Sequence, residues 1–167
     1  GGTSTTFVSN AVGWDLLDAD LKALLHDRKT CHAFRDKSMV DADWPELVHW
    51  HPARLLHPRT GQPLLFITEN HVTEIEGLSE ADSAPLLARI FATLYAPEQR
   101  YEHIWREGDL LIWDNLAIQH ARTRVADPGA GRRIVQRVAL GHYGFADQVE
   151  KLRSGKKVYI LSLFNCY

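Results

Sequence analysis

The apolar residues of this chain fall mostly into short runs closed by turn-forming residues, and only twice do they take up helical spacing. Thr5 to Ser9 reads as a short strand of β-branched and aromatic residues. Leu55 to Thr68 reads as two strands around the turn His57-Pro58-Arg59-Thr60-Gly61, with Leu64-Leu65-Phe66-Ile67 as a buried run. Leu110 to Trp113 and Ile134 to Leu140 read as further strands, separated by a loop containing Asp127-Pro128-Gly129. The helical stripes are Leu17, Leu21, Leu24 and Leu25 within Leu16 to Asp27, capped by Asp18, and Leu86, Leu87, Ile90, Phe91 and Leu94, capped by Ser79 or Ser83. Pro85 fits the second helix only near its first turn. Thr30 to Arg54 has no clear period and reads as a long loop or covering segment. Short strands with two helices predict a mainly β sandwich or jelly roll (a double-stranded β-helix, cupin-like) with helices packed outside, not alternating βαβ units.

A chain of 167 residues is the size of one domain and can bury roughly 70% of its unfolded surface. Its 45% hydrophobic and 24% charged content suits a soluble globular protein, and a formal net charge of -2 argues against a general electrostatic grip on nucleic acid. Cys31 and Cys166 form no metal-type pair and no disulfide framework, which fits a reduced cytoplasm. No apolar run reaches bilayer-spanning length, so no membrane partner is expected. Residue 1 is glycine and the only methionine is Met39, so Gly1-Gly2 is read either as a tag remnant or as the start of a native internal fragment.

The chemistry concentrates between Trp105 and Arg137. Strand alternation puts Arg133, Val135 and Arg137 on one face, their outer α-carbons about 13 Å apart, far enough to serve two anions. A guanidinium holds a carboxylate or sulfonate bidentately and keeps its charge at all working pH values. Arginines on a solvated edge strand would look the same, and His120 alone is as often a core or surface residue as a ligand. Their shared order is what points to a site.

In that order the chain resembles the taurine dioxygenase family of iron(II)- and 2-oxoglutarate-dependent oxygenases. The resemblance runs through Gly1-Gly2 with Thr5, His57-Pro58-Arg59-Thr60-Gly61, Gly77-Leu78-Ser79, Trp105 with Gly108-Asp109, Trp113-Asp114-Asn115, His120, and Arg132-Arg133 with Arg137-Val138. It implies His120 as the distal iron ligand, Arg133 and Thr5 as the clamp on the distal carboxylate of 2-oxoglutarate, and Arg137 as a cation facing an anionic substrate. Thr6 is the alternative to Thr5, and Trp113 is either a pocket wall or a core aromatic. The resemblance implies Fe(II) and 2-oxoglutarate as cofactors, dioxygen as co-reactant, and oxidation of a small organic anion with release of succinate and carbon dioxide.

One part of the family pattern is not in this chain. The other two iron ligands come from a His-x-Asp or His-x-Glu motif, and none of the nine histidines has an acid two residues later. His49, His51 and His103 are read as structural or substrate-loop residues, and His57 and His71 match positions that are not ligands. Residues 1–143 therefore read as the C-terminal portion of an oxygenase jelly roll, its missing ligands expected upstream of residue 1. Residues 144–167 are a tail of uncertain origin, and pairing of Val158 to Phe164 with another copy's edge would give a homo-oligomer. The competing class is a non-catalytic binding or scaffold domain of the same fold. A zinc hydrolase has no His-Glu-x-x-His motif behind it.

Overall fold

The computed structural model describes residues 4–34 and 47–122. Strand β1 (Ser4–Ser9) runs directly into helix α1 (Asn10–Leu16), which is followed by α2 (Ala19–Leu25). Strands β2 (Lys29–Phe34), β3 (Leu47–Pro52), β4 (Arg54–Leu56), β5 (Pro63–Leu65) and β6 (Val72–Ile75) precede helix α3 (Glu80–Leu94), and β7 (Tyr101–Ile104) and β8 (Ile118–Arg122) complete the order. They form three antiparallel sheets, ordered β7-β1-β8, β3-β2-β6 and β4-β5.

The helix expected within Leu16 to Asp27 is α2, and α1, which the sequence pattern does not mark, precedes it. Ser9 Oγ accepts from the Val12 N–H to start α1, and Asp18, the cap that the sequence predicts, accepts at Oδ1 from the Leu21 N–H to start α2. Ser79 is the cap of α3, accepting from the Asp82 N–H. Pro85 lies beyond the first turn of α3. It removes one intrahelical donor, and burial of Leu87, Ile90 and Leu94 against the core offsets that loss. These side chains pack with Val8, Trp14, Leu21, Leu25, Leu65 and Ile67 into one core beneath the sheets. The close approach of α1 to α3 is why residue 13 is glycine: a Cβ there would sit 2.5 Å from Leu94 Cδ1.

Two other expectations are corrected. The segment from Thr30 to Arg54, expected as a loop, contains β2, β3 and the start of β4. Its strands carry no hydrophobic alternation because the residues on one face are Thr30, His32, His49 and His51, with His32 opposite His49 and Thr30 opposite His51. Leu110 to Trp113, expected as a strand, carries no ladder among the described residues. Leu110 and Ile112 are 82% and 87% exposed, whereas Trp113 turns inward, so the alternation survives without the sheet. The turn at Pro58 to Gly61 joins β4 to β5 as expected; Gly61 closes it at φ 71°, a conformation that side-chain-bearing residues rarely adopt. Among the described residues no helix is long and apolar enough to cross a membrane.

Candidate functional site

Alternation along β1 sends Thr5 and Phe7 to one face of the β7-β1-β8 sheet and Thr6 and Val8 to the other, where Val8 enters the core. Phe7 lies opposite His120 on β8 and Tyr101 on β7, and Thr5 lies opposite Arg122 and His103. Thr5 and His120 therefore share one face on adjacent strands, and Thr6 does not. His120 is 8% exposed and sits in an aromatic niche, its ring centroid 5.1 Å from Trp113 and 6.2 Å from Phe7. Phe7 and Trp113 close the niche edge to face at 5.3 Å.

The opposite side of β8 holds His120 in place through its neighbour. Gln119 is fully buried, and its amide donates to Asn10 Oδ1 at 2.6 Å and to the Ile67 carbonyl at 2.9 Å. Its carbonyl oxygen accepts from the Tyr95 hydroxyl at 2.7 Å. Asn10 in turn donates from its side chain to the Leu116 carbonyl and from its backbone to the Ala117 carbonyl. Helix α1, helix α3 and the segment before β8 are thus tied to one buried amide. Nothing in the sequence alone marks Gln119, because a glutamine that opens the polar stretch Gln119-His120-Ala121-Arg122 looks like a surface position.

Two further pairs brace the approach to His120. His57 Nδ1 accepts from the backbone N–H groups of Arg59 and Thr60, which leaves the hydrogen on Nε2, 3.0 Å from Asp114 Oδ2. That hydrogen bond is the main reason the Asp114 carboxyl is held below its ordinary value. The second pair is His103 Nε2 with Asp109 Oδ2 at 2.9 Å; the same carboxylate oxygen accepts from the Arg106 N–H, the main cause of its lowered pKa. His103 also packs edge-on against Trp105 at 4.9 Å, and the Trp105 indole N–H donates to Thr5 Oγ1 at 2.8 Å. The sequence predicts no carboxylate partner for His57 or His103. The turn around His57 and the Trp113-Asp114-Asn115 run were visible as motifs, but their pairing is a long-range contact.

A separate group of histidines lies on the β3-β2-β6 sheet. His32 and His51 rings are 5.0 Å apart, His49 and His51 are 5.1 Å apart, and Phe66 stacks on His32 at 5.4 Å. His32 Nε2 meets Thr30 Oγ1 at 3.1 Å. Burial, followed by the neighbouring imidazoles, pushes His32 down to about 3 and His51 down to about 4, and burial also lowers His71. His32 and His51 are therefore neutral at pH 7. Among the described residues no group of three or more His, Cys, Asp or Glu side chains is placed to hold a metal ion. His120 supplies one imidazole, and a metal bound there would take its other donors from elsewhere. Arg133 and Arg137 lie outside the described residues, as do the strands expected over Ile134 to Leu140 and Val158 to Phe164 and the tail 144–167.

Comparison with known proteins matches residues 1–139 to the family described as "Taurine catabolism dioxygenase TauD, TfdA family". The chain is 31% identical over 148 residues to an alpha-ketoglutarate-dependent 2,4-dichlorophenoxyacetate dioxygenase of Cupriavidus pinatubonensis, covering 83% of this chain and 50% of that protein. It is 39% identical over 90 residues to an alpha-ketoglutarate-dependent sulfate ester dioxygenase of Pseudomonas putida, covering 54% of this chain and 29% of the relative. The crystal structure of a taurine dioxygenase from Burkholderia xenovorans superposes with a TM-score of 0.62 at 28% identity, over 72% of this chain and 41% of that one. The chain spans about half the length, or less, of these proteins.

Proposed function

Because the chain belongs to the taurine catabolism dioxygenase TauD, TfdA family, we propose that it forms the part of a 2-oxoglutarate-dependent dioxygenase that carries the distal metal-binding histidine and the keto-acid anchors. In this reading His120 holds iron(II), Thr5 and Arg133 hold the distal carboxylate of 2-oxoglutarate, and Arg137 and Trp113 face the substrate. In the same reading the fold is the family's jelly roll. The observation that carries the reading is that Thr5 and His120 share a face on adjacent strands, with Trp113 packed on the histidine.

Each side chain has a definite task. The Thr5 hydroxyl donates one hydrogen bond to a carboxylate oxygen, and the Arg133 fork supplies two more with a full charge. Phe7 and Trp113 flank the His120 imidazole, fix its plane and keep water from it. Bound iron supplies the oxidising chemistry, coupling decarboxylation of the keto acid to oxidation of a substrate carbon. The protein's contribution is position: two anionic ligands held at fixed places beside one metal.

Arg137 favours a small anionic substrate. The printed names of the relatives, a sulfate ester dioxygenase and a dichlorophenoxyacetate dioxygenase, support that class. A cytoplasmic location fits cofactors of this kind. The test is anaerobic titration of the full-length protein with 2-oxoglutarate, with and without iron(II), followed by succinate measurement in air with sulfate esters and aryloxyacetates. Metal-dependent binding and substrate-dependent succinate are expected. Ligand binding without succinate would instead favour a non-catalytic binding domain, and the absence of both binding and succinate would overturn the reading.

A further inference from the structure

We propose that Trp105 is a positioning residue that sets the Thr5 hydroxyl as a hydrogen-bond donor toward a bound carboxylate. The inference rests on the reading of Thr5 as a keto-acid anchor and adds to it a reason why that hydroxyl points the right way. An indole N–H can only donate, so the 2.8 Å contact makes Thr5 Oγ1 the acceptor. The hydroxyl keeps its own hydrogen for another partner. A carboxylate can only accept, so it requires a hydroxyl whose hydrogen is left to donate, and a hydroxyl that already accepts a hydrogen bond is polarised into a better donor.

Sequence and fold explain how the indole is held there. Trp105 follows directly after β7, whose His103 lies opposite Thr5. The His103 ring packs edge-on against the indole at 4.9 Å and is itself fixed by Asp109 Oδ2 at 2.9 Å. Asp109 reaches back because the chain turns through Gly108 at φ 85°, and its carboxylate and backbone both bond Arg106. The Trp-x-x-Gly-Asp run is thus a closed turn with one output, the direction of the indole N–H. Thr5 is 6% exposed, so water offers little competition for the oriented hydroxyl.

The test is 2-oxoglutarate affinity of the full-length, iron(II)-loaded protein by anaerobic calorimetry, with Trp105→Phe combined with Thr5→Val and Thr5→Ser. Trp105→Phe is expected to weaken binding by about three- to tenfold, the scale of one neutral hydrogen bond, and to raise the KM for 2-oxoglutarate with little change in kcat. The same loss is expected in the Thr5→Ser background, which keeps the hydroxyl, and no further loss in the Thr5→Val background, which lacks it. Benzothienylalanine at 105, with sulfur in place of the N–H and the same ring packing, should reproduce Trp105→Phe and serves if that variant fails to fold. If Thr5→Val weakens binding and neither Trp105 change does, the proposal falls and the Thr5 assignment stands. If the Trp105 effect is equal in the valine and serine backgrounds, the indole acts by packing and the proposal falls. If Thr5→Val leaves affinity unchanged, the Thr5 assignment itself fails and this inference with it.

Discussion

His57 Nε2 donates to Asp114 Oδ2 at 3.0 Å and so fastens the turn between β4 and β5 to the segment that leads into His120. Asp114 also accepts from the Leu116 N–H, and its backbone carbonyl accepts from the Ile118 N–H, so one residue organises the entry to β8. His57→Ala leaves this carboxylate with its backbone donors and Arg59 at 3.7 Å. Asp114 is partly exposed, so we expect a loss of only about 1 kcal/mol in denaturant unfolding at pH 7. The sign with pH follows from the lowered carboxyl. Its stabilisation is present above the ordinary value of 3.8 and is lost as pH falls through the lower folded value. Wild type and His57→Ala should therefore converge in stability at the acid end.

Gln119 makes three buried hydrogen bonds, and removing it strands the partners rather than merely deleting contacts. Gln119→Leu should cost about 2–4 kcal/mol in equilibrium unfolding, because buried polar groups left unpaired lose about 1–3 kcal/mol each. Adding Tyr95→Phe to that variant should cost less than Tyr95→Phe alone costs in wild type, since the hydroxyl has already lost its acceptor. Additive losses would show that the two side chains do not act together.

The imidazoles of His32 and His51 are kept neutral in the folded chain, at about 3 and about 4, against an ordinary value of 6.5. The unfolded chain then binds more protons than the folded chain below pH 6.5. Stability should be intact above that value and fall as pH drops toward 4 and then 3, by at most about 1.4 kcal/mol per pH unit for each ring. His32→Gln should flatten the slope of unfolding free energy between pH 6.5 and 4. An unchanged slope would mean that His32 is charged in the fold.

In the proposed reading Arg133 meets the keto acid and Arg137 the anionic substrate. Arg133→Ala is expected to weaken 2-oxoglutarate binding by about 1.5–3 kcal/mol, the scale of a charge-assisted hydrogen bond. Arg137→Ala should raise the KM of an anionic substrate and leave keto-acid affinity within about twofold. Calorimetry with each ligand separates the two, and the reverse pattern would exchange their assignments.

Sequence reading succeeded where a feature was local. The caps at Asp18 and Ser79, the turn closed by Gly61 and the buried run Leu64 to Ile67 each depend on neighbours a few residues away. It failed at Thr30 to Arg54, because strands whose shared face is built of threonine and histidine lack the hydrophobic alternation that marks a strand. Leu110 to Trp113 also reads as a strand, since a short unbroken apolar run looks the same whether or not it joins a ladder. His120 and Thr5 were singled out through motif order. Their shared face, the Gln119 network and the pairing of His57 with Asp114 join residues remote in sequence, so only the fold could reveal them.

The proposed function turns on His120 as a metal ligand of a 2-oxoglutarate-dependent dioxygenase. Its most direct test is succinate formation by the full-length protein and by His120→Ala, with iron(II), 2-oxoglutarate, dioxygen and an anionic substrate, alongside the thermal unfolding of both. Succinate is expected from wild type and none above background from His120→Ala, with both proteins unfolding cooperatively. Undiminished succinate from a folded His120→Ala protein would contradict that role.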